Sequence, residues 1–67
     1  MASGTVKVFH HDHGYGAITP DDGGAEVALY YDAVLGDHDA VLVEGRKVEY
    51  DLLEEEGRPV AERVRAL

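Results

Sequence analysis

The stretch "GYGAITPDDGGAEVALYY" (Gly14–Tyr31) carries the reading of the fold. Tyr15–Thr19 and Glu26–Tyr31 are short runs with apolar side chains at every second position. In the second run Val27 and Leu29 share one face, and Ala28 and Tyr30 share the other. A period of two belongs to strands. Between the runs lies "PDDGG" (Pro20–Gly24). There Pro fixes φ, Asp bonds its own backbone and Gly permits positive φ, so the chain turns back. Two strands and a turn make a hairpin.

Upstream, "GTVKVF" (Gly4–Phe9) alternates in the same sense. The alternation places Val6 and Val8 on one side and Thr5, Lys7 and Phe9 on the other. The first three runs therefore predict an antiparallel meander. Downstream, "DAVLGDHDAVLVEG" (Asp32–Gly45) is a longer connection, with a short helical turn expected near Asp32–Leu35. "RKVEYDLLEEE" (Arg46–Glu56) sets Val48, Tyr50 and Leu52 against Lys47, Glu49 and Asp51, the pattern of a half-buried strand. "GRP" (Gly57–Pro59) is a turn and "VAERVRAL" (Val60–Leu67) a last strand. A helix is the alternative for that last segment, because Val60, Val64 and Leu67 also suit one helical face. Glu54–Glu56 reads as a solvated loop. Five short strands predict an all-β fold, a small antiparallel barrel of OB type, since closure removes exposed edges.

Sixty-seven residues suffice for one small domain, 1–67, with a thin core. A chain this short buries only about 60% of its unfolded surface. No cysteine is present, so neither a disulfide nor a thiolate metal site is available, which suits a reducing cytoplasm. No apolar run follows Met1–Gly4, so no secretory leader is expected, and no stretch approaches the roughly 20 apolar residues that span a bilayer. Fourteen acidic and six basic residues give a net charge of −8. That balance repels phosphate at long range and argues against generic, high-affinity nucleic-acid binding. It leaves room for a local patch, because salt screens fields beyond roughly 8–10 Å.

The order and spacing of these segments resemble the bacterial cold-shock protein family, over nearly the whole chain. "MASGTVK" resembles the family's opening. "GYGAITPDDGGAEV" (Gly14–Val27) resembles its first nucleic-acid motif, Lys-Gly-Phe-Gly-Phe-Ile, and the turn that follows. "VALYY" (Val27–Tyr31) stands where the family has Val-Phe-Val-His-Phe. "LVEGRKVEYD" (Leu42–Asp51) resembles Leu-x-Glu-Gly-Gln-x-Val-Glu-Phe, and "GRPVAERVRAL" (Gly57–Leu67) the closing strand.

The resemblance implies a five-stranded barrel that binds single-stranded RNA or DNA. Bases stack on aromatic rings of one face and basic residues meet phosphates at its margin. The implied activity is that of an RNA chaperone, trapping single strands. Carried over by position, Phe9, Tyr15, Tyr30 and Tyr31 supply rings and Lys7 a cation, with His10 and His13 assisting; for Phe9 a place at the core rim is the equal alternative. Tyr50 aligns with a core aromatic. Four positions depart from the pattern: Val8 replaces a Trp, Ala17 and Ala28 replace Phe residues, and Asp39 stands where a ring is common. His13 replaces a lysine. Losing three or four stacks at roughly 1–3 kcal/mol each forfeits about 3–12 kcal/mol if additive. Micromolar binding is about −8 kcal/mol. Reduced affinity is therefore expected. The alternative is a protein-interaction module whose Ala17/Ala28 dip takes an apolar side chain of a protein partner. No membrane partner or cofactor is expected, and the chain is expected to act as a monomer.

No catalytic constellation stands out, so an enzyme is not expected. Ser3 is the only serine, and Asp21–Asp22 belong to a turn. Gly14, Gly16, Gly23 and Gly24 lack the strand–glycine–helix context of a phosphate loop. His10, His11 and His13 invite a metal reading, with Asp12 beside them and His38, Asp37 and Asp39 as distant partners, because imidazole suits zinc, copper and nickel. A surface His triplet is more often incidental, and no metal site is assigned.

Overall fold

The computed structural model describes residues 1–67. Strands β1 (Ala2–His10), β2 (Tyr15–Pro20) and β3 (Val27–Tyr30) form the meander. A 3₁₀ turn (Tyr31–Ala33) and a short helix α1 (His38–Val41) follow. Strands β4 (Lys47–Glu55) and β5 (Arg58–Ala66) complete the chain. The barrel is closed in the order β1-β2-β3-β5-β4. All neighbours are antiparallel except β3 and β5, which run parallel and share one registered pair, Ala28 with Val60. The last segment is a strand, so the helical alternative falls.

The expected turn near Asp32–Leu35 is the 3₁₀ turn, one residue early. Helix α1 was not expected. The Asp37 side chain starts it by accepting the Asp39 N–H at 3.0 Å, which satisfies one of the free donors of a helix N-terminus.

Two irregularities correct the expected alternation. In β1, Val6 pairs with Ile18 but Val8 pairs with Ala17, so Lys7 is an extra residue. Such a bulge reverses which side chains face inward from that point on. Val6 and Phe9 are therefore buried, while Val8 and His10 lie on the outer face. Phe9, expected on the stacking surface, is 6% exposed and belongs to the core. In the β4–β5 pair the register shifts between Glu49 and Asp51, where Arg63 adopts a φ of 50°. Val48 and Tyr50 are fully buried as expected, but Leu52 is exposed. The β4–β5 hairpin continues past the core, and Leu52 and Leu53 travel with it.

Gly16 makes the β1–β2 wall possible. A Cβ there would land on the Val8 carbonyl oxygen and lie 2.7 Å from Phe9 Cα. Neither neighbour is a side-chain tip that can swing aside. Gly16→Ala should therefore cost more than about 2 kcal/mol, a large share of a small domain's stability. Urea unfolding monitored by circular dichroism measures that loss, with Gly23→Ala, where no atom lies within 4 Å, as the comparison for backbone strain alone.

Candidate nucleic-acid interface

The outer face of β1–β2–β3 carries two parallel rows. Register places His10 opposite Tyr15 and Tyr15 opposite Tyr30. The next rung places Val8 opposite Ala17, Ala17 opposite Ala28, and Ala28 beside Val60 across the barrel closure. One rung is thus aromatic and the next is small and apolar.

Tyr15, Tyr30 and Tyr31 are each about half exposed, at 48%, 45% and 52%. The turn after β1 folds over the Tyr15 edge. The Gly14 N–H donates to the His10 carbonyl at 2.8 Å, and Gly14 adopts a φ of 78°, which favours glycine. This return brings the His10 and His13 rings to 5.4 and 5.9 Å from the Tyr15 ring. The Tyr31 N–H donates to the Gly14 carbonyl at 3.0 Å, which fixes the second tyrosine pair against the same turn. The expected residues His10, His13, Tyr15, Tyr30 and Tyr31 are therefore brought together, and Phe9 is not among them.

Two further residues at this face carry no signal in the sequence. His38 stacks on Tyr31, with ring centroids 4.2 Å apart and planes 19° from parallel. In α1 His38 is partly buried against Tyr31, while its neighbour Asp39 is exposed. The second is Arg58, beside the gap left by Ala17 and Ala28. A depression of about 350 Å³ lies there, between Tyr15, Ala17, Ala28, Glu26 and Arg58. A second, of about 360 Å³, lies between Ala28, Tyr30, Glu55, Glu56 and Arg58. No local signal in "GRP" announces this, since only the β3–β5 closure carries Arg58 to the platform.

The histidine cluster divides. His11 meets the edge of Phe9, with centroids 5.0 Å apart, while His10 and His13 face Tyr15 and His38 faces Tyr31. No three His, Asp or Glu side chains converge on a metal position.

Cations are scarce on this face. Lys7 pairs with Glu26, Lys47 with Asp21, Arg63 with Asp51 and Arg65 with Glu49. Of the six basic residues only Arg46 and Arg58 lack a carboxylate partner, and Arg58 is the one at the platform. Lys7 projects from the bulge, and its partner Glu26 lines the 350 Å³ depression.

A closed five-stranded barrel with a tyrosine-bearing outer face accords with the comparisons. Residues 2–67 match the family model of the 'Cold-shock' DNA-binding domain. The chain belongs to the cold-shock domain family. That family is one of nucleic-acid-binding proteins. This cold-shock domain is 39% identical over 67 residues to the "Probable cold shock protein A" of Mycobacterium tuberculosis, covering all of both chains. It is 43% identical over 68 residues to the "Cold shock protein CspA" of Rhizobium meliloti, covering 98% of this chain and 99% of that one. Among solved structures, "drosophila Unr CSD456" superposes with a TM-score of 0.81 at 23% identity, covering 98% of this chain and 26% of that one. That likeness shows the shared fold. No helix is long and apolar enough to cross a membrane.

The Lys7–Glu26 pair ties up a cation at the edge of the tyrosine face. An exposed pair is worth about 0.2–1 kcal/mol. Glu26→Gln frees the ammonium and removes a repelling carboxylate. Oligothymidine affinity should rise about two- to fivefold at low salt, read by calorimetry, and the gain should shrink as salt is added.

Proposed function

We propose that this cold-shock domain binds single-stranded RNA or DNA on the outer face of β1–β3 and acts as an RNA chaperone of reduced affinity in the cytoplasm. The observation that carries this reading is the row of half-exposed rings. Tyr15 and Tyr30 stand in register with Tyr31 near them, and the rings of His10 and His13 lie against Tyr15 and that of His38 against Tyr31. Base–ring stacking needs only a π-face, so such a row takes any sequence. Lys7, His10, His13 and Arg58 border the row and meet phosphates. The rung of Val8, Ala17 and Ala28 supplies no ring, which is why affinity falls below that of a full platform.

A second reading rests on the depression over Ala17 and Ala28. Its size and apolar floor favour an apolar side chain of a protein partner in place of a base. Oligothymidine titration of isotope-labelled protein separates the two. Amide shifts centred on Tyr15, Tyr30 and Tyr31 support stacking, and silence at low-millimolar oligonucleotide ends that reading. Ala28→Phe adds a ring in the gap and should tighten binding by about 1–3 kcal/mol. Tyr30→Ala should weaken it by a similar amount.

A further inference from the structure

The barrel end where β1 begins and β2 finishes holds a depression of about 490 Å³, a size usual for ligand sites. None of Tyr15, Tyr30 and Tyr31 lines it. Its wall is apolar, with Pro20 and Leu52, and Asp21, Asp22 and Glu54 stand around it.

These acidic groups are not equivalent. Asp21 is engaged, accepting from Lys47 Nζ at 2.6 Å and Ser3 Oγ at 2.9 Å. The Lys47 bond first, and the Ser3 bond second, hold its carboxyl below the usual carboxylate range. Asp22 spends one oxygen on the Gly24 N–H at 2.9 Å and keeps the other free. Glu54 makes no ion pair.

The floor adds an independent feature. Tyr50 is 1% exposed, and its hydroxyl has no hydrogen-bond partner in the chain. No unpaired polar side-chain atom is sealed from solvent, so this oxygen opens into the depression that Tyr50 lines. Burial first, then the charges of Asp22 and Asp21, push the phenol above its ordinary value. The hydroxyl thus stays protonated near those carboxylates.

We propose that this depression binds an arginine side chain from a basic segment of a partner protein, its stem against Pro20 and Leu52 and its guanidinium bonded to Asp22, Glu54 and the Tyr50 hydroxyl. Separated acceptors suit a planar group with five donors better than a point charge. A metal ion is disfavoured, because the carboxylates do not converge. The apolar wall suits the alkyl stem. The unpaired carboxylates of Asp22 and Glu54 attract a basic segment and repel nucleic acid or an anionic lipid surface from this end.

The test uses the labelled full chain and two probes, acetyl-Gly-Arg-Gly-amide and the same peptide with neutral citrulline. Saturable amide shifts at Ala25, Leu52 and Glu54, with dissociation constants of about millimolar order, are expected for arginine. Citrulline should bind at least about tenfold more weakly. Tyr50→Phe, which retains the ring, should weaken the arginine peptide about three- to tenfold, and Asp22→Asn at least as much. Shifts spread over other faces, equal binding of citrulline, or a Tyr50→Phe variant that binds as the parent would overturn the proposal. Oligothymidine silence at Tyr15, Tyr30 and Tyr31 would leave it standing, because the two sites are read at different amides.

Discussion

The extra residue at Lys7 decides which side of β1 is core and which is surface. Before it, Val6 points inward; after it, Phe9 does. Without the bulge, Phe9 would be a surface ring and Val8 a core residue. With it, the Phe9 ring lies over Gly16, which must lack a side chain for the two strands to approach. The same shift sends His10 to the outer face opposite Tyr15 and aims Lys7 at Glu26. The core, the aromatic rung and the platform's charge thus share one cause.

The hairpin of Gly14–Tyr31 was legible because its period of two is unbroken and its turn is rich in Pro, Asp and Gly. The facing of Ala17 and Ala28 followed from the same hairpin, and register makes them direct partners. The bulges were not legible, since an extra residue leaves the composition of a strand unchanged and alters only its phase. Phe9 and Leu52 differ from expectation for two reasons: one is carried inward by a bulge, the other outward by a hairpin that outruns the core. His38 and Arg58 were missed on different grounds. A four-residue helix turns His38 onto Tyr31, and a parallel closure brings Arg58 beside Ala28. Both placements are tertiary, with no signal in neighbouring residues.

Thin cores leave small barrels with little stability in reserve. Here the interior is filled by aliphatic residues around Tyr50 and Phe9, and no unpaired polar side-chain atom is sealed from solvent. A buried phenol is tolerated at position 50 because its oxygen reaches the barrel end. An aromatic of this size can serve the core with its ring and the surface with its tip, as amphipathic side chains generally do.

Charge and rings divide the work of the outer face. Stacking depends on exposed π-faces and is nearly indifferent to net charge, whereas phosphate contact depends on free cations and is repelled by a charge of −8. Four of the six cations are held by carboxylates, and Lys7, the one nearest the platform's edge in sequence, is among them. On the proposed reading, affinity comes mainly from Tyr15, Tyr30 and Tyr31, and counterion release contributes little. Such a face holds an unstacked strand through its bases and has small attraction for a duplex, whose bases are hidden and whose phosphates are dense. On the same proposed reading, the acidity that weakens binding also biases it toward single strands, which is the preference a chaperone of nucleic-acid structure requires.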